Sequence, residues 1–536
     1  MRTFSTLISL FLTCIAFAQT PVLVKDINPG AAYGFPNNKE YLIAIGNVVY
    51  FAANDGIHGS EVWRSDGSEA GTHMVKDIQP GSTGSAPIRF NVLGNKILFI
   101  ANDGTHGDEL WSSDGTEAGT VLVKDINSGT GHVIRRNYVP QQRDRRVVNG
   151  ILYFAADTGT KYSQLWRSDG TDLGTFLVSD VCPICNTNNF YTGEFAVLHD
   201  TLYIVAGGDL WRSDGTTVGT QLVVDNLDAD GPGIIRHLTG VNDLLYMSGG
   251  HDSFNLDFWV SDGTKAGTKM LKDLPDTGTP HQFTALGGQV FFISDENLWS
   301  TDGTQAGTLQ ESSLAVENIF FRRSRLFLWN SELYYRAQAT DNQSYLYKTD
   351  GVPAGEQQVF TQNYQGTSFN DPLFVATTND FLYYDAVSQN PLAAGIGRIN
   401  SSGTVKEIIP VLNSSLVEYL FVAGDNLFFR GSGNATGQEL WKLPLVTSAA
   451  PELSNRLSLH IYPTFSPEGV FFLDHSGEPA SNFKVSVFDA LGRLSYLGTH
   501  ASGEPLRLSA LPAGAYIVHI AAENGQSVVQ KVIIGQ

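Results

Sequence analysis

Cysteine is nearly absent. The chain has 536 residues and three cysteines. Cys14 falls in an N-terminal apolar run, which leaves Cys182 and Cys185 for the body of the protein. A disulfide-framework fold is excluded on that count. A four-ligand zinc site would need a second pair of ligands, and no second CxxC exists. A redox CxxC should open a helix, whereas Cys182-Pro183-Ile184-Cys185 sits among strand and turn signals. A local disulfide pinning one loop is the expectation. Positive charge is also scarce: 34 Lys and Arg against 54 Asp and Glu give a formal charge of −20. That balance argues against nucleic acid or an anionic membrane surface as partner and suits solubility in an extracellular medium. Long apolar runs are missing too, so no later segment reads as a transmembrane helix. No Gly-x-Ser-x-Gly elbow, His-Glu-x-x-His or P-loop is present.

What is present begins with an export signal. Arg2 supplies a positive start and Leu7–Phe17 a short apolar run, followed by Ala16-Phe17-Ala18 as a cleavage site. Residues 1–18 are read as a signal peptide, with Gln19 opening the mature chain. Thr13 stands before Cys14 where a lipoprotein signal would want a small residue, so lipidation is not expected.

The chain is organised around a repeat whose fullest copy is Glu109-Leu110-Trp111-Ser112-Ser113-Asp114-Gly115-Thr116-Glu117-Ala118-Gly119-Thr120. Trp63, Trp111, Trp166, Trp211, Trp259 and Trp299 hold one place in six copies. Tyr347 takes it in a seventh, Ile399 in a worn eighth, and Trp441 in a truncated ninth. The gaps are 48, 55, 45, 48, 40, 48, 52 and 42 residues, a propeller or solenoid period. The second unit reads as four strands: Arg89–Leu93, Lys96–Ala101, Glu109–Ser112 and Thr120–Ile126. Four β-rich segments per unit with aromatics in register fit an all-β propeller. Nine blades are preferred to eight. Val22–Ile27 matches the last strand of a unit, and Glu439–Leu443 stops before that strand. The N-terminal strand is therefore expected to close the ring.

Asp66, Asp114, Asp169, Asp214, Asp262 and Asp302 each precede a Gly, as does Asp350. Gly supplies a positive φ without steric cost, and Asp braces the turn through its own backbone. The tryptophan three residues earlier is expected to pack between blades, its indole N–H on a backbone acceptor.

Thr447–Asn455 is small and polar and reads as a linker within the boundaries 447–455. Six strand-like segments follow: Leu457–Tyr462, Gly469–Asp474, Phe483–Asp489, Leu506–Leu508, Tyr516–Ala521 and Val528–Ile534. They suggest a small β-sandwich over residues 456–536.

The recurrent Glu-Leu-Trp-x-x-Asp-Gly-Thr resembles the ELWxxDGT repeat family of bacterial exported proteins over roughly residues 21–446, and the propeller domain is bounded at 19–446. That resemblance implies propeller-like structure and no known catalytic residues. The C-terminal segment is similar to the type A sorting domain of the type IX secretion system of Bacteroidota. The matching features are Tyr462-Pro463, Gly469-Val470, Val487-Phe488-Asp489-Ala490-Leu491-Gly492-Arg493, Leu511-Pro512-Ala513-Gly514-Ala515-Tyr516 and Lys531-Val532-Ile533-Ile534. Thr464-Phe465 departs from the family's Asn-Pro. This resemblance implies Sec export, partnership with the type IX machinery, and a final place on the cell surface or in the medium. The alternative from residues alone is a β-sandwich binding module.

No catalytic, cofactor-binding or metal residue is assigned. Glu61, Glu109 and Glu439 align with Gln164, Asp209, Asp257, Asn297 and Tyr345, which suits a strand-edge hydrogen-bonding place better than a general acid. His58 and His106 are equivalent and read as repeat inheritance. The Asp-Gly loops fall short of a calcium loop. The expectation is a non-enzymatic propeller that binds an extracellular glycan or protein through loops of one face. Its rivals are a channel enzyme acting on polysaccharide or peptide, and a structural surface-layer protein.

Overall fold

Runs of β-branched and aromatic residues, cut every few positions by Gly, Asn and Asp, can form only short strands joined by tight turns. The computed structural model of the chain is built that way. It describes residues 20–30, 32–35, 42–134, 144–161, 164–181, 192–225, 232–250, 256–274 and 278–312 continuously, and shorter strand-bearing stretches between 315 and 534. Every element among the described residues is a strand. The chain divides into two compact units, Met1–Val446 and Thr447–Gln536.

The first unit is a ring of nine four-stranded antiparallel blades. Blade 1 comprises Ile43–Ile45, Val48–Asn54, Ser60–Ser65 and His73–Lys76. Blade 2 comprises Ile88–Leu93, Lys96–Asn102, Asp108–Ser113 and Val121–Lys124. Blades 3 to 8 begin with Arg145–Val148, Thr192–Leu198, Ile234–Val241, His281–Leu286, Phe327–Trp329 and Val375–Thr377. Blade 9 is Ser414–Ala423, Asn426–Gly433 and Gln438–Pro444, and its fourth strand is Val22–Lys25 from the other end of the chain. That strand pairs antiparallel, Val22 opposite Lys442 and Leu23 opposite Trp441, so the ring has no open seam. First strands of neighbouring blades lie beside one another and line the bore. Blade 7 is the irregular one: Ala315–Val316 shares the edge of Glu332–Gln338 with Phe327–Trp329.

The turns between first and second strands are tight enough to force left-handed backbone on ordinary residues. His199 and Asp200 have φ of 47° and 59°, and Asn330 and Ser331 51° and 59°. Two successive positive φ values match the right-handed twist of a two-residue hairpin.

The core is a set of nine apolar layers between blades, each holding one aromatic or Ile from the repeat position. Trp63 packs with Val24, Leu440 and Phe428 of blade 9, and Trp111 with Tyr50 and Val62 of blade 1. Trp166 meets Leu98 and Leu110, Trp211 meets Tyr153 and Leu165, and Trp259 meets Tyr203 and Leu210. Trp299 meets Tyr246 and Phe258, Tyr347 meets Phe291 and Leu298, and Ile399 meets Tyr334 and Leu346. Trp441 packs with Tyr383 and Ile396 of blade 8. The indole expectation needs correction. The N–H groups of Trp63, Trp166, Trp211, Trp259, Trp299 and Trp441 are buried and reach no acceptor. Phe51 stands opposite Trp63, and Phe429 opposite Trp441, on the paired strand of the same blade. The apolar area of the ring outweighs the stranded N–H: truncating a buried Trp costs about 3–5 kcal/mol, an unmade hydrogen bond about 1–3.

The second unit has two sheets. One holds Ser458–Tyr462, Val470–Ser476 and Leu506–Arg507; the other orders Phe465–Ser466, Ser527–Ile534, Gly514–Ala522, Asn482–Phe488 and Leu494–Ala501. Val485, Val487, Tyr516 and Val518 are buried at alternate positions, as a half-buried strand requires. The Tyr516 hydroxyl donates to the Pro512 carbonyl at 2.8 Å and fixes the turn that starts its strand.

Candidate functional site

The Asp-Gly turn is a closed polar circuit. Asp114 Oδ1 accepts from Thr116 N at 2.9 Å and Thr116 Oγ1 at 2.7 Å. Thr116 Oγ1 accepts from Gly119 N at 3.0 Å, and Thr120 Oγ1 donates to the Thr116 carbonyl at 2.6 Å. Ser113 Oγ and Thr120 Oγ1 are 2.7 Å apart beneath, and Ser113 Oγ accepts from Gly115 N. Asp66, Asp169, Asp214, Asp262 and Asp302 make the same bonds to the residue two places on. Hydroxyl and amide donors together hold these carboxyls below the usual range. The second Gly of the motif has its own reason: a Cβ on Gly71, Gly119, Gly174, Gly219, Gly267 or Gly307 would fall on the Asp carboxylate.

The repeat glutamates reach further than a strand edge. Glu61, Glu109 and Glu439 are wholly buried. Glu61 accepts from Ile78 N, Gln79 N, Ser85 N and Ser85 Oγ, gathering the connector that leads to blade 2. Glu109 accepts from Ile126 N at 2.8 Å and Asn127 N at 2.9 Å. Glu439 accepts from Ile27 N, Asn28 N and Gly34 N at 3.0, 3.3 and 2.9 Å, so one carboxylate ties the last blade to the N-terminal segment. Burial raises the pKa of Glu109 and of Glu439 to about 7, against the pull of those N–H bonds; Asp125 and Asp108 add to the first, Asp26 to the second. Asp257 holds Leu274 N, and Gln164 and Asn297 accept from side chains. The side chain of Tyr345 lies outside the described residues, as do Cys182 and Cys185.

His58 and His106 sit in matching loops, each Nδ1 2.7 Å from its own Asp, Asp55 or Asp103. The carboxylate raises each histidine's pKa. Among the described residues no cluster of three or more His, Cys, Asp or Glu is placed to hold a metal.

Two features went unread in the sequence. Lys25, Lys76 and Lys272 donate to the carbonyls of Thr72, Thr120 and Thr308 in the next blade, at 2.9, 2.8 and 2.8 Å. Lys124 reaches Asp172 likewise. The signal was there: a Lys recurs at the fourth place of the outer strand. The other feature is a run of polar residues on the inner strands of blades 2, 4, 5 and 6, each four residues before the end of its strand. Arg89 pairs with Asp144, Glu194 accepts from Leu238 N, His237 lies against His281 at 5.6 Å, and Gln282 accepts from Leu326 N. Each tie crosses to the following blade. Arg89, His237, Gln282 and Tyr419 have φ of 57–61°, beside register shifts in their strands.

Among the described residues the arrangement supplies turns, ties between blades and polar groups on the inner strands. Solved structures resembling the whole chain do so distantly. An extracellular domain from a B. thetaiotaomicron one-component system has a TM-score of 0.32 and 11% identity, covering 96% of this chain and 80% of its own. A puromycin hydrolase has 0.35 and 11%, covering 81% and 58%. A Mycobacterium tuberculosis puromycin-hydrolyzing peptidase has 0.35 and 9%, covering 61% and 53%. Likeness at this level carries no argument about activity. No curated protein matches the chain. One match is specific: residues 460–535 fit the family described as the secretion system C-terminal sorting domain, so the chain carries a signal for export to the cell surface or beyond.

Proposed function

We propose that the protein is a non-enzymatic binding or adhesion scaffold, delivered through the type IX machinery and working on the outer surface or in the medium. The sorting-domain match carries the export half of this reading. The binding half is supported by how the repeat residues are spent: Asp and Gly close the turns, Glu gathers the connectors, and Trp and Lys hold neighbouring blades together. Connectors and loops that differ from blade to blade are left for recognition. The repeat's resemblance to the ELWxxDGT family agrees with a propeller of this kind. A glycan and protein array probed with the mature chain tests the reading. Selective, saturable binding without turnover supports it; cleavage of a bound polysaccharide or peptide would establish the channel-enzyme alternative instead.

A further inference from the structure

The outer strand of each blade is the edge of its sheet, and an open edge is a template for another strand. Proteins blunt such edges with lysine or by keeping the strand very short. Most described blades do one or the other. Val22–Lys25, His73–Lys76, Val121–Lys124, Lys269–Lys272 and Lys406–Pro410 each carry a lysine. Leu309–Gln310 and Gln357–Gln358 have two residues each. Two neighbouring blades do neither. Phe176–Ser179 of blade 3 and Gln221–Val224 of blade 4 have four residues each and no charge. Each is the last strand of its sheet, and among the described residues no strand pairs with its outer side.

The same two blades depart from the repeat at a second place. The residue before the second Gly of the motif is Ala70, Ala118, Ala266, Ala306 and Ala354 elsewhere, and Leu173 and Val218 here. Both point to water: Leu173 is 92% exposed and Val218 85%. Phe176, Leu177 and Leu222 of the adjoining strands are 43%, 40% and 45% exposed. Thr217 Oγ1 donates to the Val178 carbonyl at 2.8 Å, so the turn of blade 4 is joined to the outer strand of blade 3 and the apolar residues form one surface. Residues 173–179 and 215–224 contain no charged side chain, in a chain of −20. The arginines beside them are engaged: the Arg167 guanidinium lies 5.2 Å from the centre of the Phe176 ring, and Arg212 donates to Gln221 at 2.7 Å.

We propose that the outer edge of blades 3 and 4 is a self-association surface, on which a second copy of this chain docks with Gln221–Val224 against its own equivalent. Charge selects the occupant. Two chains of −20 repel where their acidic surfaces meet, and this edge lets them touch without opposing like charges. A two-fold axis asks for a self-complementary patch, and an uncharged apolar edge is one. Identical edge strands related by a two-fold axis normal to the sheet run antiparallel, so the ladder of blade 4 continues across the axis. Leu173, Val218 and Leu222 are then removed from water beside the seam. The inference goes beyond the scaffold reading and stands without it.

The test is sedimentation of the mature full-length chain over a range of concentrations. The chain should dimerise reversibly. The dimer should tighten as salt rises, because salt screens the repulsion and leaves the apolar contact intact. The double variant Leu173→Ala and Val218→Ala restores the residue of the other blades. It should weaken the dimer about tenfold or more, since each substitution counts twice across the axis. Leu222→Lys gives this edge the charge that other edges carry and should abolish the dimer. These side chains are exposed, so the melting temperature of the monomer should not fall. Val121→Lys, at an equally exposed place on blade 2, should leave the dimer as it is. A chain that stays monomeric at every concentration overturns the proposal, whether or not the edge then captures a foreign strand. A dimer that the blade 3 and blade 4 variants leave intact, or that Val121→Lys disrupts equally, lies elsewhere on the molecule and overturns it too.

Discussion

At the scale of the residue, the repeat motif is a set of mutual constraints. Asp114 and Gly119 form one unit: the carboxylate lies where a Cβ on Gly119 would be, and Thr116 holds it there. Asp114→Ala should cost about 1 kcal/mol, the worth of the local hydrogen bonds it removes. The loss should be the same with calcium or with a chelator; a calcium-dependent melting temperature that vanishes in the variant would contradict the turn-only role. Gly119→Ala should cost about as much or more, because the carboxylate must leave its donors. In the Asp114→Ala background most of that cost should disappear. A double-mutant cycle by denaturant unfolding reads the coupling, and strictly additive losses would show that the two residues do not share the space. The Asp and its Gly were legible in sequence as turn chemistry. The second Gly was visible as a pattern, but its reason is a distance across five residues of turn, which spacing alone does not show.

At the scale of the element, the strands were the readable part. The four expected in blade 2 are found as Ile88–Leu93, Lys96–Asn102, Asp108–Ser113 and Val121–Lys124, within three residues at their ends. In the second unit Leu494–Ala501 was missed, because Ser495, Gly498 and Thr499 break its apolar alternation; it is an edge strand with Leu497 exposed. The inner-strand bulges were also hidden, since an extra residue in a strand leaves no compositional mark. The reach of the glutamates was hidden for a different reason: their partners are backbone N–H groups, which every residue carries. Those glutamates yield a pH prediction. An unfolded Glu titrates near about 4.3, and Glu109 and Glu439 are raised to about 7 in the fold by burial. The folded state thus holds these protons more tightly. Their contribution is fully present below the unfolded pKa and is lost as pH rises through about 7. Melting temperature should fall between pH 5 and 8, and Glu439→Gln should make that slope shallower. A slope unchanged in the variant would mean that Glu439 does not titrate in this window.

At the scale of the whole molecule, the nine-fold count was readable because the large apolar residue of the repeat survives even where Asp is lost, as at Ile399 and Trp441. The closure was readable because the first and last segments are complementary parts of one unit. Deleting residues 21–28 removes the fourth strand of blade 9 together with two of the three amides that Glu439 holds. The melting temperature of the propeller should drop markedly. A deletion variant that melts like the intact chain would mean the ring does not depend on this strand. The ties between inner strands were not legible, because their partners, such as Glu194 and Leu238, are brought together only by the ring. The destination rests on the C-terminal unit, and one measurement bears on it most directly. The gene is shortened so that the chain ends at Val446, expressed in the native host, and the cells are fractionated and blotted. The shortened protein should remain in the periplasm while the full-length chain reaches the surface or the medium. Efficient appearance of the shortened protein outside the cell would contradict the account.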